Sequence, residues 1–203
     1  TGGMGAYSPA PVVDDVIFER IMDEVINPTV AGMAAEGNDY TGFLYAGLMI
    51  SPEGEPKVIE YNCRFGDPET QPIMVRLQSD LVSLCDSALD GTLDSASANW
   101  DERCAIGVVL AAGGYPASYA KGMTIEGLDA AQPDNIKVFH AGTALDGDNI
   151  VTSGGRVLCV TALGNDIASA QKACYTGVQK ISWEGMTLRR DIGWRAIARY
   201  SQD

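Results

Sequence analysis

Histidine is almost missing: His140 is the only one in 203 residues. The five cysteines, Cys63, Cys85, Cys104, Cys159 and Cys174, are scattered, odd in number and form no C-x-x-C pair. Together they do not have the ligand spacing of a zinc site. Reduced thiols of this kind fit a cytoplasmic protein. Basic residues are also scarce, 14 Lys plus Arg against 27 Asp plus Glu, for a formal net charge of −13. So acidic a chain is unsuited to binding nucleic acid in general, although a few local groups can still hold a phosphate. No apolar run approaches the roughly 20 residues of a membrane span, and no basic-then-apolar secretory segment opens the chain. What the sequence does have is enough apolar material, 46% of residues, to build a core and to exclude wholesale disorder.

The chain opens on a glycine-dense run with no initiator methionine: Thr1-Gly2-Gly3-Met4-Gly5-Ala6-Tyr7-Ser8-Pro9-Ala10-Pro11. Glycines this dense usually sit where backbone turns sharply or approaches a ligand. The opening therefore reads as a connecting segment whose upstream part lies outside this sequence. Successive N–H groups in such a loop can form an anion-binding concavity. It is not a P-loop, since no G-K-[ST] follows, and it lacks the G-x-G-x-x-G of dinucleotide binding.

Asp14 and Asp15 precede helically spaced apolar residues from Val16 to Ile26, which predicts a helix stopped at Asn27-Pro28. Pro28 then begins a second short helix ending near Gly37. Two strand-like runs, Phe43–Ile50 and Lys57–Asn62, flank Ser51-Pro52-Glu53-Gly54-Glu55 and predict a β-hairpin. A loop from Cys63 to Gln71 leads into a helix expected from Ile73 to Leu89 and stopped by Asp90-Gly91. The polar stretch 91–102 reads as a linker between residues 1–90 and a small α+β module, 103–203. That module is expected to have strands at Cys104–Ala112, Ile136–Ala141 and Arg156–Leu163 and a helix at Ala168–Ile181.

The hairpin's second strand ends Ile59-Glu60-Tyr61-Asn62-Cys63-Arg64. Alternation puts Glu60, Asn62 and Arg64 on one face and Ile59 and Tyr61 on the other. A carboxylate beside an amide oxygen suits a hard divalent cation, which takes one or two protein oxygens and completes its shell with water and phosphate oxygens. Arg64 offers a planar fork for a phosphoryl group or a carboxylate. The same pattern also describes a solvated strand face with a surface Glu–Arg pair, worth about 0–1 kcal/mol.

The glycine opening and the run Ile59 to Gln71 together resemble the glycinamide ribonucleotide synthetases, a family of ATP-grasp ligases. The resemblance continues through Tyr40-Thr41-Gly42-Phe43-Leu44-Tyr45-Ala46-Gly47-Leu48-Met49, Ala111-Ala112-Gly113-Gly114-Tyr115-Pro116 and Val138-Phe139-His140-Ala141-Gly142-Thr143. It closes with Gly154-Gly155-Arg156-Val157-Leu158 and Asp191-Ile192-Gly193-Trp194-Arg195-Ala196. It spans essentially the whole chain but only the C-terminal half of such enzymes.

That resemblance implies an α+β fold: the second lobe of an ATP-grasp unit, then a small C-terminal α+β domain. It implies an ATP-dependent ligase joining glycine to 5-phosphoribosylamine through a glycyl phosphate, a step of de novo purine biosynthesis. Glu60 and Asn62 match the family's metal positions, for Mg²⁺ or Mn²⁺. Arg64 would steady the transferring phosphoryl group. Leu48 and Ile59 would line part of the adenine pocket, or simply pack in the core. Asp67 and Glu69 would contact the amine-bearing substrates, or cap the helix that follows. Gly3 and Gly5 would present backbone to substrate, and His140 would be a structural hydrogen-bonder. The family's ATP-binding lysines belong to the N-terminal half, which would be this chain's partner, so the chain alone is expected to be inactive. Neither nucleic acid nor membrane is an expected partner. Two rivals remain: another ATP-grasp ligase or carboxylase, since E-x-N-x-R is shared among these, and an inactive binding or structural fragment.

Overall fold

A computed structural model describes residues 3–200; Thr1 and Gly2 of the glycine opening lie outside the described residues. In chain order the elements are β1 (Gly5–Ser8), α1 (Asp15–Ile21), α2 (Asn27–Ala35), β2 (Tyr45–Ile50), β3 (Pro56–Asn62), α3 (Thr70–Arg76) and α4 (Leu81–Leu89). They continue with β4 (Cys104–Ala111), β5 (Ile136–His140), β6 (Thr143–Asp146), β7 (Asn149–Thr152), β8 (Arg156–Gly164), α5 (Ile167–Val178) and α6 (Trp194–Tyr200). The architecture is α+β. The residues fall into two compact units, one of Thr1–Pro9, Asp67–Gln78 and Trp100–Asp203, the other of Ala10–Gly66 and Ser79–Asn99. The stretch expected as a linker is thus shared: up to Asn99 it goes with the second unit and from Trp100 with the first.

The first unit is built on an antiparallel sheet in the order β1-β4-β8-β5. Cys104-Ala-Ile-Gly-Val-Val-Leu-Ala is apolar at every position because both faces of β4 are covered. Ile106, Val108 and Leu110 pack with Ile167, Cys174 and Val178 of α5. Val109 and Ala111 on the opposite face pack with Met4 and Cys159. Gly107 lies on that second face, where a Cβ would come 3.2 Å from the Pro72 ring of α3. Two helices therefore cover the sheet from either side. Asp166 caps α5 by accepting from the Ser169 N–H at 2.6 Å, while the Ser169 hydroxyl accepts from the Asp166 N–H, a reciprocal pair that satisfies two otherwise orphaned donors.

Gly5 also has a place in the sheet. Gly5 lies inside β1, paired with Val108, and a Cβ there would come within 2.8 Å of both the Gly107 carbonyl and the Ile192 side chain. Its missing side chain makes room for strand packing. Strand β1 escapes sequence reading because four residues containing a glycine carry little strand signal; pairing with β4 makes it a strand.

In the second unit the helical segment does not stop at Pro28. Asn27 is itself helical, at φ −59° and ψ −45°. The turn before it, Met22–Ile26, widens to π geometry, with the Asn27 N–H bonded to the Met22 carbonyl. The wider turn accommodates a proline that offers no N–H and crowds the preceding turn. Helix α2 ends as expected: Gly37 takes φ +77°, its N–H reaching Ala34 O at 2.9 Å and the Asn38 N–H reaching Met33 O at 2.9 Å. The helix expected from Ile73 to Leu89 is two helices. Leu77 turns extended at ψ 120°, and the Asp80 carboxylate starts α4 by accepting from the Ser83 N–H at 2.8 Å. The division between the two units falls in this break.

Candidate active site

Strands β2 and β3 form the expected antiparallel hairpin, turning at Gly54 with φ +79°. Helix α1 fixes that turn, since Arg20 donates to the Gly54 carbonyl at 2.8 Å. Gly47 pairs with Glu60 and Leu48 with Val58, so Ile59 is an inserted bulge residue. Bulges bend a strand and re-aim the side chains beside them. Beyond it the alternation is undisturbed. The Asn62 amide donates to Glu60 Oε1 at 3.2 Å, and Arg64 donates to Asn62 Oδ1 at 3.1 Å. Tyr61 points the other way, its hydroxyl 2.7 Å from Thr29 Oγ1 of α2. Glu60, Asn62 and Arg64 therefore form one hydrogen-bonded row. Glu60 and Arg64 are exposed and Asn62 half-buried.

The atoms in the row able to ligate a metal are the oxygens of Glu60 and Asn62, and among the described residues no group of three or more His, Cys, Asp or Glu forms a metal cage. Two oxygens on one accessible face suit a cation that brings most of its own shell. Arg64 is folded back by donating to the Phe65 carbonyl at 2.8 Å, and Phe65 stacks on Phe43 at a centroid distance of 3.9 Å. Leu48 is half-buried, and Ile59, 65% exposed, is not a core residue. The bulge means that these two do not face each other as a pair. A separate groove of about 520 Å³ in this unit, lined by Phe43, Leu81, Leu84, Leu89 and Leu93 among others, contains no carboxylate, lysine or arginine.

The first unit holds the remaining expected residues. Asp67 does not cap α3; it pairs with Arg156, whose Nη2 lies 2.6 Å from Asp67 Oδ2. Arg156 Nη1 also donates to the carbonyls of Asp67 and Gly3, each at 3.2 Å. Gly3 has φ +71°, and a Cβ there would sit 2.7 Å from Arg156 Nη1. Glu69 stands at the N-cap of α3 without a side-chain capping bond. His140 ends β5 with Nδ1 3.1 Å from Thr143 Oγ1. Sequence reasoning passed over Arg156. Its one signal is a lone cation between a glycine pair and an apolar strand.

Burial pushes the Cys159 thiol up to about 11, and burial likewise raises Cys174, whose thiol donates to Val160 O. All five cysteines are free thiols. No helix among the described residues is long and apolar enough to cross a membrane.

Two family models match the chain in succession: the phosphoribosylglycinamide synthetase ATP-grasp (A) domain over residues 1–70 and the phosphoribosylglycinamide synthetase C domain over residues 105–195. The chain is 66% identical over 199 residues to a phosphoribosylamine–glycine ligase of Vibrio cholerae, covering 98% of this chain and 46% of that protein. It is 64% identical over 200 residues to one of Yersinia pestis, covering 98% of this chain and 47% of that protein. The chain thus spans about half the length of the curated relatives it matches. A crystal structure of phosphoribosylamine–glycine ligase from Thermotoga maritima superposes with TM-score 0.79 at 34% identity, over 93% of this chain and 46% of that one. A biotin carboxylase of Campylobacter jejuni shares the fold at TM-score 0.65 and only 13% identity, over 93% of this chain and 41% of that one.

Proposed function

The chain belongs to the phosphoribosylglycinamide synthetase family, and from that premise we propose that it is the C-terminal part of an ATP-dependent ligase that joins glycine to 5-phosphoribosylamine in purine biosynthesis. The observation that carries the reading is the Glu60–Asn62–Arg64 row at the end of β3 and in the bend that follows it, in the region matched by the family's ATP-grasp domain. A carboxylate such as that of glycine is a poor acyl donor. Transfer of the ATP γ-phosphoryl group to it gives glycyl phosphate; the phosphoribosylamine nitrogen then attacks the acyl carbon and phosphate leaves.

Glu60 and Asn62 would hold Mg²⁺ or Mn²⁺, which when bound neutralises charge on the ATP phosphates. Arg64 sits two residues beyond Asn62, where its guanidinium can stabilise charge on the transferring phosphoryl group as a fixed positive charge with N–H donors. Leu48 and the exposed Ile59 give ATP's base an apolar surface. Asp67, Glu69 and the backbone at Gly3 meet the amine-bearing substrates, while Gly5 anchors that loop in the sheet. The N-terminal half of such a ligase would be the partner that completes the ATP site. The five free thiols accord with a cytoplasmic location.

The rival reading as a carboxylase of the biotin type rests on fold likeness at 12–16% identity, whereas relatives named as the glycine ligase share 64–66%. The test is a chimera carrying these 203 residues behind the N-terminal part of the Vibrio cholerae relative. ADP formation that requires both glycine and phosphoribosylamine is the expected result. ADP formation driven by bicarbonate instead would overturn it.

A further inference from the structure

Arg156 is held with more care than a surface cation needs. Strand β8 pairs Leu158 with Leu110 and then Arg156 with Ala111, so Val157 is a bulge residue immediately beside the arginine. On its other side two glycine segments touch through backbone alone. A Cβ on Gly142 would lie 2.6 Å from Gly154 Cα, and Gly142 N–H donates to Arg156 O at 3.1 Å. Ala112 N–H donates to Gly155 O at 2.8 Å. The backbone from Gly154 to Arg156 is therefore pinned from both sides, and a bulge turns the side chain. The guanidinium spends its fork on Asp67 Oδ2, the Asp67 carbonyl and the Gly3 carbonyl, drawing together segments 153 and 89 residues away in sequence. Its side chain is 26% exposed and that of Asp67 55%, so pairing energy alone explains little of this construction.

We propose that Arg156 is a positioning residue of the ligase, fixing the Asp67 carboxylate and the Gly3 loop where the amine-bearing substrates bind. This rests on the ligase reading above. A lysine cannot replace it fully, because a single ammonium lacks the two parallel donors that hold a carboxylate oxygen and two carbonyls at once.

The experiment uses the complete chimeric ligase with Arg156→Ala, Arg156→Lys, Asp67→Ala and the Ala double variant. Arg156→Ala is expected to lower kcat/KM for glycine and phosphoribosylamine about 10- to 100-fold, with KM for ATP within about twofold, as misplaced binding groups do. Arg156→Lys should fall between, and it carries the same comparison where Ala disturbs folding. The double variant should lose less than the two single losses combined, since Arg156 acts in part through the Asp67 side chain and in part through the Gly3 and Asp67 carbonyls, which Asp67→Ala leaves in place. Hydrogen exchange should quicken at the amides of Gly66, Asp67 and Glu69 in Arg156→Ala. An active parent whose Arg156→Ala form keeps its glycine kinetics, or loses ATP and glycine kinetics equally, overturns the positioning role alone. Additive losses in the double variant overturn it as well. A parent with no glycine-dependent ADP formation overturns the ligase reading and this role together.

Discussion

Asn62 donates its side-chain amide to the Glu60 carboxylate at 3.2 Å while its own carbonyl oxygen accepts from Arg64 at 3.1 Å. One amide thus orients both a candidate metal carboxylate and a candidate phosphoryl-binding guanidinium. In the complete ligase, Arg64→Ala is expected to reduce kcat by about 100- to 1,000-fold with a smaller effect on KM, as loss of a preorganised donor does. Steady-state kinetics read this directly, and a kcat near the parent's would reduce Arg64 to a surface residue.

The 203 residues alone are expected to bind Mg-ATP with a millimolar or weaker dissociation constant and to show no ligase turnover. Exposed ionic contacts such as the Glu60–Asn62–Arg64 row offers contribute about 1 kcal/mol or less each. Association costs at least about 4 kcal/mol in lost translational and rotational freedom. Calorimetric titration checks this; micromolar affinity would show that the row and its apolar neighbours suffice without the other half.

Asp101 gives a pH prediction with a definite sign. The Arg103 side chain, followed by its backbone N–H at 2.9 Å, holds the Asp101 carboxyl at about 2. The unfolded group titrates near about 3.9. The pairing therefore stabilises the fold fully above that value and is lost as pH falls through about 2. Carbon-detected NMR of the Asp101 carboxyl should show a midpoint near 2, moving upward in Arg103→Ala. A midpoint that ignores the substitution would deny the pairing.

Leu110 of β4 is fully buried in the core cluster that includes Ile167, Cys174 and Val178 of α5, so Leu110→Ala is expected to cost about 2–5 kcal/mol in denaturant unfolding. Gly127→Ala should also destabilise, because Gly127 has φ +81° and a Cβ would overlap the Lys180 carbonyl. An unfolding midpoint unmoved by either change would contradict the packing described.

Thiol reagents should label the native chain first at exposed Cys63 and leave Cys159 and Cys174 unlabelled, since burial raises the pKa of both and shields them. Mass spectrometry after brief labelling distinguishes the sites, and early modification of Cys174 would mean that α5 opens readily from the sheet.

Much of this was legible in sequence because it depends on near neighbours. Glu60 and Asn62 share a face by alternation along a single strand, with Arg64 joined to them in the bend just beyond it, and the hairpin, the Gly37 and Gly91 helix ends and the buried strand at Cys104–Ala111 follow from local pattern. The hairpin at Asp146-Gly147-Asp148-Asn149 was not among the expected elements, although Gly147 at φ +58° is the residue such a tight turn asks for. Tertiary structure alone decided the rest. Gly5 became a packing glycine because Gly107 and Ile192 occupy the space beside it. Pro28 stayed within a helical segment because the turn before it widened. Asp67 became an ion-pair partner because β8, 89 residues away, delivers Arg156 to it. Periodicity records which face a residue takes, through bonds to its immediate neighbours. Which distant segment arrives at that face depends on chain closure and packing, and no local spacing encodes it.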